Sequence, residues 1–400
     1  MKARQVCKIT TSDCEQVGSA RIEDWIQVEL FYSGDEYFKA LENRIEGAVS
    51  HIYLESYIFA FDRLGVRVVD ALGRAAQRGV DVRLIIDGVG SYTWIGKLVE
   101  EAKARGIALK VFKRLPWQRI YCWRRFSNLL WNFKQGLTQL NRRTHRKLCV
   151  IDGTQAFVGS MNIIECHCNE YMNGDAWRDT GVYVEGDEVG VLQRDFIRLW
   201  KKKDRRMMLK GRLRGRRRVL SGNRVKLNSR KNLREQNYLD LLVLLLGAQK
   251  RVWIETAYFV PDRRLVRALR TVAESGVDVR IMVPAQADVF FIPWVSSAFH
   301  RGLLQAGIRI FEYTKTMLHA KAILVDHYGV VGSSNLNHRS LFHDLEVDVH
   351  FTDRDAVDSL ARQFLHDVTF CREIALDSWH HRPFLQRAIG SGLLLFRGVL

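Results

Sequence analysis

Phe38, Leu41, Ile45 and Val49 fall three or four positions apart, the spacing of one helical face, and Ser33-Gly-Asp-Glu36 before them has the form of a capping box. A β-rich, largely apolar run follows, His51-Ile-Tyr-Leu-Glu-Ser-Tyr-Ile-Phe59, and predicts a strand. Helical spacing returns at Leu64, Val68, Leu72 and Ala75, and Val82–Ile86 predicts a second strand. Strand, helix, strand, with almost continuously apolar strands, predicts parallel pairing beneath helices. The same order then recurs. Arg251-Val-Trp-Ile-Glu-Thr-Ala-Tyr-Phe259 repeats the first strand 200 positions on, Gly79-Val-Asp-Val-Arg83 returns as Gly276–Arg280, and Gly106-Ile107 returns as Gly307-Ile308. A helical stripe at Leu265, Val266, Leu269 and Val272 again precedes a strand, Val279–Val283. The chain is a duplicated α/β unit. We expect a first unit at 25–200, a basic linker at 201–233, a second unit at 234–376 and a tail at 377–400.

Composition narrows the setting. The 400 residues are 47% hydrophobic, enough for two cores, and the longest apolar run, Leu241–Ala248, is far short of the roughly 18–20 residues of a membrane span. The N-terminal residues Thr10, Asp13, Glu15 and Gln16 do not read as a signal peptide. Seven scattered cysteines suit a reducing compartment rather than a disulfide framework. Cys166-His167-Cys168 has no second ligand pair at zinc-finger spacing, so no structural metal is expected. A net charge of +18 calls for an anionic partner, either phospholipid headgroups or nucleic acid. Twelve of the basic residues lie between Arg198 and Arg218 against the single acid Asp204, more than a solvated spacer needs.

The chemistry sits at one place in each repeat. His145-Arg-Lys147-Leu-Cys-Val-Ile-Asp152 is followed by Gly159-Ser160-Met-Asn162, and His319-Ala-Lys321-Ala-Ile-Leu-Val-Asp326 by Gly332-Ser333-Ser-Asn335. Both copies read His-x-Lys-x4-Asp, then Gly-Ser-x-Asn. Residues two apart on a strand share a face, so each histidine stands beside a fixed cation, as phosphoryl chemistry requires. Ser160, Asn162, Ser333 and Asn335 are candidate phosphate donors. Asp152 and Asp326 belong to the motif, yet at a strand end they serve a turn as readily as catalysis. Glu55 and Glu255 match across the repeat in apolar strands, as structural ion pairs or as groups supporting the phosphate site.

This pattern resembles the phospholipase D superfamily and, within it, the cardiolipin synthases of the type without N-terminal membrane helices. The resemblance runs from about Ile26 to Leu376. It extends to Trp177-Arg-Asp179-Thr180 and to Asn335-Leu-Asn-His-Arg339-Ser340 running to Glu346; Asp344 departs from the usual Asn, and the second Asp-to-Gly gap is one residue shorter. It implies two phospholipase D-like domains, mixed or parallel sheets flanked by helices, packed pseudo-symmetrically around one site. It also implies that His145, Lys147, Asp152, His319, Lys321 and Asp326 carry catalysis. His145 would be the nucleophile and His319 the acid–base, with Asp179 orienting His145 and Glu346 orienting His319. Two lysines take the place of a metal ion, so no cofactor is expected.

The implied partner is phosphatidylglycerol at a membrane surface, bound peripherally on the cytoplasmic side, with no nucleic acid. Two segments fit that setting. Arg119–Arg143 interleaves cations with Tyr121, Trp123, Phe126, Trp131 and Phe133, and Val289-Phe-Phe-Ile-Pro-Trp-Val295 supplies an apolar floor for acyl chains. A phospholipid hydrolase, a nuclease of the same superfamily and a non-enzymatic membrane scaffold are the competing readings.

Overall fold

The computed structural model describes residues 25–114, 142–201 and 224–377, together with Gly392. Most of the 198–218 cluster and of the 119–143 segment, and the tail beyond 377 except Gly392, therefore lie outside the described residues.

Each repeat folds into one mixed sheet. The first contains β1 (Gln27–Phe31), α1 (Gly34–Glu46), β2 (His51–Ser56), α2 (Arg63–Gln77), β3 (Asp81–Asp87), α3 (Ile95–Ala104), β4 (Ala108–Phe112), β5 (Leu148–Ile151), β6 (Gln155–Gly159), α4 (Asn169–Met172), β7 (Gly181–Glu185) and α5 (Val189–Lys201). The second contains β8 (Val225–Leu227), α6 (Lys231–Leu246), β9 (Arg251–Thr256), β10 (Phe259–Val260), α7 (Arg263–Glu274), β11 (Asp278–Pro284), α8 (Ile292–Leu304) and β12 (Arg309–Tyr313). It continues through β13 (Lys321–Val325), β14 (Tyr328–Gly332), β15 (Leu336–Asn337), α9 (His338–Phe342), β16 (Val347–Phe351), α10 (Arg354–Val368) and β17 (Cys371–Glu373).

The main sheet orders are β1-β7-β6-β5-β2-β3-β4 and β17-β12-β11-β9-β13-β14-β16-β8, and β10 pairs with β15 in a separate two-stranded sheet. Apolar strands joined by helices are parallel, as expected: β2 with β3 and β3 with β4, β9 with β11 and β11 with β12. The strands carrying the motifs are antiparallel hairpins, β5–β6 and β13–β14, because only two or three residues connect them. One boundary differs from expectation. Val225–Leu227 lies within the segment read as linker, yet it pairs with β16, so the second sheet already includes Val225. Arg224 before it and Lys226 within it disguise it; Lys226 is neutralised by Asp240 at 2.7 Å.

The two sheets meet over a shared core. Leu148, Val150, Val158 and Val182 of the first sheet join Leu324, Val331, Val347 and Val349 of the second in one buried cluster, completed by Phe196 of α5 and Phe364 of α10. Separate cores fill the outer sides, with Phe38, Leu41 and Ile45 of α1 in one and Leu242 and Leu245 of α6 in the other. Trp25 Nε1 donates across the junction to the carbonyl of His350 at 3.0 Å.

Candidate active site

The segments just before β5 and β13 leave their own sheets and pair with the opposite repeat. Thr144 bridges Leu345, and Arg178 bridges Leu318, both in parallel. Backbone hydrogen bonds fix them: His145 N–H to the Leu345 carbonyl at 2.9 Å, and His319 N–H to the Arg178 carbonyl at 2.8 Å. Each histidine is thereby set beside the acid of the other half. His145 Nδ1 lies 3.0 and 3.1 Å from the two carboxylate oxygens of Glu346, and His319 Nδ1 lies 2.7 Å from Asp179 Oδ1. This crosses the pairing expected from sequence, in which each acid served the histidine of its own repeat. The reason is the bridge itself: a residue following Leu345 can only meet the residue following Thr144. With each Nδ1 turned to a carboxylate, each Nε2 is the nitrogen free for chemistry.

Lys147 and Lys321 are both buried, and each donates to the carbonyl of its own motif histidine, at 2.7 and 2.6 Å. Burial, reinforced by repulsion from Lys321, pulls Lys147 down to about 7. Burial pulls Lys321 down to about 8, with Asp179 opposing it. Burial and both lysines hold His145 well below its ordinary value, and burial and Lys321 lower His319. Two desolvated cations side by side with two neutral imidazoles form a cavity in charge terms, one that an oxyanion would fill. Asn162 and Asn335 are both buried here; Asn162 Oδ1 accepts from Ile58 N–H at 3.2 Å, whereas Asn335 Oδ1 is buried with no protein partner. The Tyr57 ring lies 5.1 Å from His145 and 5.4 Å from the Lys147 ammonium, and Trp177 lies 5.4 Å from His319.

Several expected site residues stand elsewhere. Asp152 and Asp326 lie at the far ends of their strands, about 20 Å along an extended chain from the histidines. Asp152 accepts from the backbone N–H groups of Val49, Ser50 and His51 at 2.7–2.9 Å, and Asp326 from those of Gln249, Lys250 and Arg251 at 2.8–2.9 Å. Both adopt positive φ, 50° and 52°, a backbone shape that aspartate tolerates in turns. They fasten the start of β2 and β9 and take no part in the site. Ser160 and Ser333 also differ from expectation, since their hydroxyls are committed to structure. Ser160 Oγ accepts from Thr180 N–H and donates to the Thr180 carbonyl, while Ser333 Oγ accepts from Val347 N–H and donates to Glu346 at 2.5 Å. Glu55 and Glu255 pair with buried arginines, Arg146 and Arg178, at 3.7 Å, which favours the ion-pair alternative. Arg146 also meets Asp195 at 2.8 Å, and Arg178 meets Asp367 at 2.7 Å. In the Val289–Val295 segment Phe290 is 71% exposed, but Ile292 and Val295 turn into the core, so only part of it can serve as a floor.

One participant escaped the sequence reading. His167 is buried, and its Nδ1 lies 2.6 Å from Asp179 Oδ2, so Asp179 bridges two imidazoles. His167, Asp179 and His319 are ligand types that could hold a metal, grouped among the described residues. The 2.6 and 2.7 Å separations are those of hydrogen bonds, whereas a tetrahedral ion with bonds of about 2.0–2.1 Å would hold its ligand atoms about 3.3 Å apart. The donors present fit a shared proton network better than an ion.

Known proteins resemble this chain over most of its length. The family described as cardiolipin synthase, PLD-like domain, matches residues 41–200 and 241–368. The chain is 31% identical over 390 residues to the cardiolipin synthase of Halalkalibacterium halodurans, covering 93% of this chain and 72% of the relative. It is 30% identical over 391 residues to cardiolipin synthase 2 of Bacillus cereus, covering 96% and 73%. Among solved structures it resembles phosphatidylserine synthase of Haemophilus influenzae, with a TM-score of 0.70 at 14% identity over 97% of this chain and 100% of that one. That likeness concerns the fold.

Proposed function

The chain belongs to the cardiolipin synthase family with phospholipase D-like domains, and on that premise we propose that it transfers a phosphatidyl group between two phosphatidylglycerol molecules, releasing glycerol. The observation that carries the reading is the crossed pair of carboxylate-bound imidazoles flanking two buried lysines. In the first step Nε2 of His145 attacks phosphorus, a P–N bond forms, the P–O bond to glycerol breaks, and His319, in the fraction of complexes whose ring also carries a proton on Nε2, gives that proton to the departing oxygen. In the second step the terminal hydroxyl of another phosphatidylglycerol yields its proton to His319 as its oxygen attacks phosphorus and the P–N bond breaks. Two diesters enter, and one cardiolipin and one glycerol leave. Lys147 and Lys321, with Asn162 and Asn335, stabilise the equatorial oxygens as charge accumulates. Glu346 and Asp179 hold the two rings in the tautomer this needs.

The choice of His145 as nucleophile follows the family's behaviour. Substrate would be met peripherally at the cytoplasmic membrane face, through the chain's excess of positive charge and through Phe290, which forms an aromatic knuckle with Phe291 and Trp294. Asp288, two residues before Phe290, accepts from the Tyr258 hydroxyl at 2.5 Å, and its charge favours the protonated form of Lys321, which supports a knuckle near the site. The test is direct. Purified protein with phosphatidylglycerol vesicles should yield cardiolipin and glycerol by mass spectrometry; phosphatidic acid as the dominant product under all lipid conditions would make it a hydrolase.

A further inference from the structure

Two repeats that share a motif need not share its tuning. Ser340 stands five residues after Asn335 and His167 five residues after Asn162, so they occupy equivalent places. Each donates to the carboxylate that orients a motif histidine: Ser340 Oγ to Glu346 Oε1 at 2.7 Å, His167 Nδ1 to Asp179 Oδ2 at 2.6 Å. The reach balances, since a short serine meets the longer glutamate and a long histidine meets the shorter aspartate. Their chemistry does not balance. Ser340 is a rotor that can turn away, whereas His167 is held at both ends, because the Asn162 backbone N–H donates to its Nε2 at 3.1 Å. Burial lowers the proton affinity of this ring while Asp179 and Cys166 raise it, to about 10 on balance; the Asn162 N–H aimed at Nε2 opposes a second proton there, and in either state Nδ1 is the donor to Asp179.

We infer that His167 is a positioning residue that holds Asp179 as a fixed, ionised acceptor and so sets the proton affinity of His319. A donor on Oδ2 draws charge from the carboxylate and weakens its pull on the His319 proton. The groups facing this pair are Lys321 on β13, Lys147 before β5, Cys166 beside His167, and Arg178, whose guanidinium binds the Asp179 carbonyl. The two lysines act on Asp179 and His319 directly rather than through His167, and Arg178 is tied to Asp367; Cys166 interacts with His167 itself, so its effect leaves with the ring. The inference rests on the acid–base role given to His319 above.

The test combines turnover with a measurement that needs none. His167→Phe removes the donor; His167→Ser removes it by shortness, since serine falls short of Asp179, and offers a small polar alternative where the ring is poorly tolerated. In both, the Asp179–His319 pair should bind its proton at higher pH, by about one unit, read by NMR titration of the His319 imidazole. The basic limb of the kcat profile, measured at saturating substrate so that the lysines' effect on binding drops out, should move up with it while the acid limb stays, and kcat should fall roughly tenfold, less than the 10²–10⁴ lost with an acid–base group itself. His167→Asn, which places an amide N–H near the position of Nδ1, should restore the wild-type profile. Loss of thermal stability in folded variants whose His319 titration and basic limb are unchanged would overturn the proposal. A wild-type protein that forms no transfer product would instead overturn the functional reading, and the NMR titration would still report on His167.

Discussion

Docking a phosphodiester between Lys147 and Lys321 should draw protons from solution. Burial pulls these groups down to about 7 and about 8, with Lys321 adding to the effect on Lys147 and Asp179 opposing it on Lys321. At pH 8, Lys147 lacks its proton in about 0.9 of molecules and Lys321 in about 0.5, whereas at pH 6 the two together lack only about 0.1. An anion placed between them favours the charged form of both. Binding should therefore take up about 1.4 protons at pH 8 and about 0.1 at pH 6. Glu346, which burial pushes up to about 7 against Lys147, is mostly ionised at pH 8 and holds only about 0.1 proton there to release. Diethyl phosphate is a suitable probe, being a diester with no ionisation in this range. Calorimetry at each pH in two buffers of different ionisation enthalpy gives the count directly. Lys147→Met should remove about 0.9 of the uptake at pH 8. The sign follows from depressed lysines: affinity falls as pH rises through 7 to 8. Binding without proton exchange at pH 8, or affinity that strengthens with pH in that window, would refute the picture of two partly discharged lysines.

The crossed pairing predicts that Glu346→Gln perturbs the NMR signals of the His145 ring and spares those of His319, with Asp179→Asn doing the reverse; the opposite pattern would contradict the geometry. Asp152→Ala should cost about 1.5–3 kcal/mol in chemical denaturation, because three backbone N–H groups lose a charged acceptor, while turnover per folded molecule changes little. Hydrogen bonds from those N–H groups hold the Asp152 carboxyl below its ordinary value although burial opposes them, so its contribution is present above the unfolded carboxyl's pKa and disappears as pH falls through the folded one, which the Asp152→Ala comparison should reproduce. Phe290→Asp should slow the reaction on phosphatidylglycerol vesicles more than on a soluble short-chain phosphatidylglycerol; equal slowing on both would show that the knuckle does not meet the lipid surface.

Much of this arrangement is written in local patterns. The helical stripe from Phe38 to Ile45, the parallel strand pair at His51 and Asp81, and the His-x-Lys placement are all set by neighbours a few residues away. Which acid serves which histidine is not. Glu346 and His145 are 201 positions apart, and symmetry makes the crossed and uncrossed pairings look identical in sequence. Only the Thr144–Leu345 and Arg178–Leu318 bridges distinguish them. Asp152 sits in the motif at fixed spacing from His145, which conceals that its oxygens serve three backbone groups of another strand. Ser160 resembles a phosphate ligand for a similar reason: nothing local shows that Thr180 claims its hydroxyl. Arg146 and Arg178, each next to a catalytic candidate in sequence, point the other way and neutralise Glu55 and Glu255, because adjacent strand residues face opposite sides. His167 was visible only as part of a Cys-His-Cys triplet; its alignment with Ser340, five residues beyond each asparagine, was the available signal.

The exchange of acids between repeats also bears on how such a chain could arise. A half-length ancestor with one motif would own a histidine, a lysine and a carboxylate, yet the carboxylate could not reach its own histidine. Two copies would have to embrace, each lending its acid to the other, before either could react. Joining the copies end to end removes that dependence on concentration and, more consequentially, releases the two sequences from being identical. Aspartate can then become glutamate on one side, and histidine can stand opposite serine. Division of labour between the two imidazoles is thus an option open to a fused pair and closed to a symmetric one.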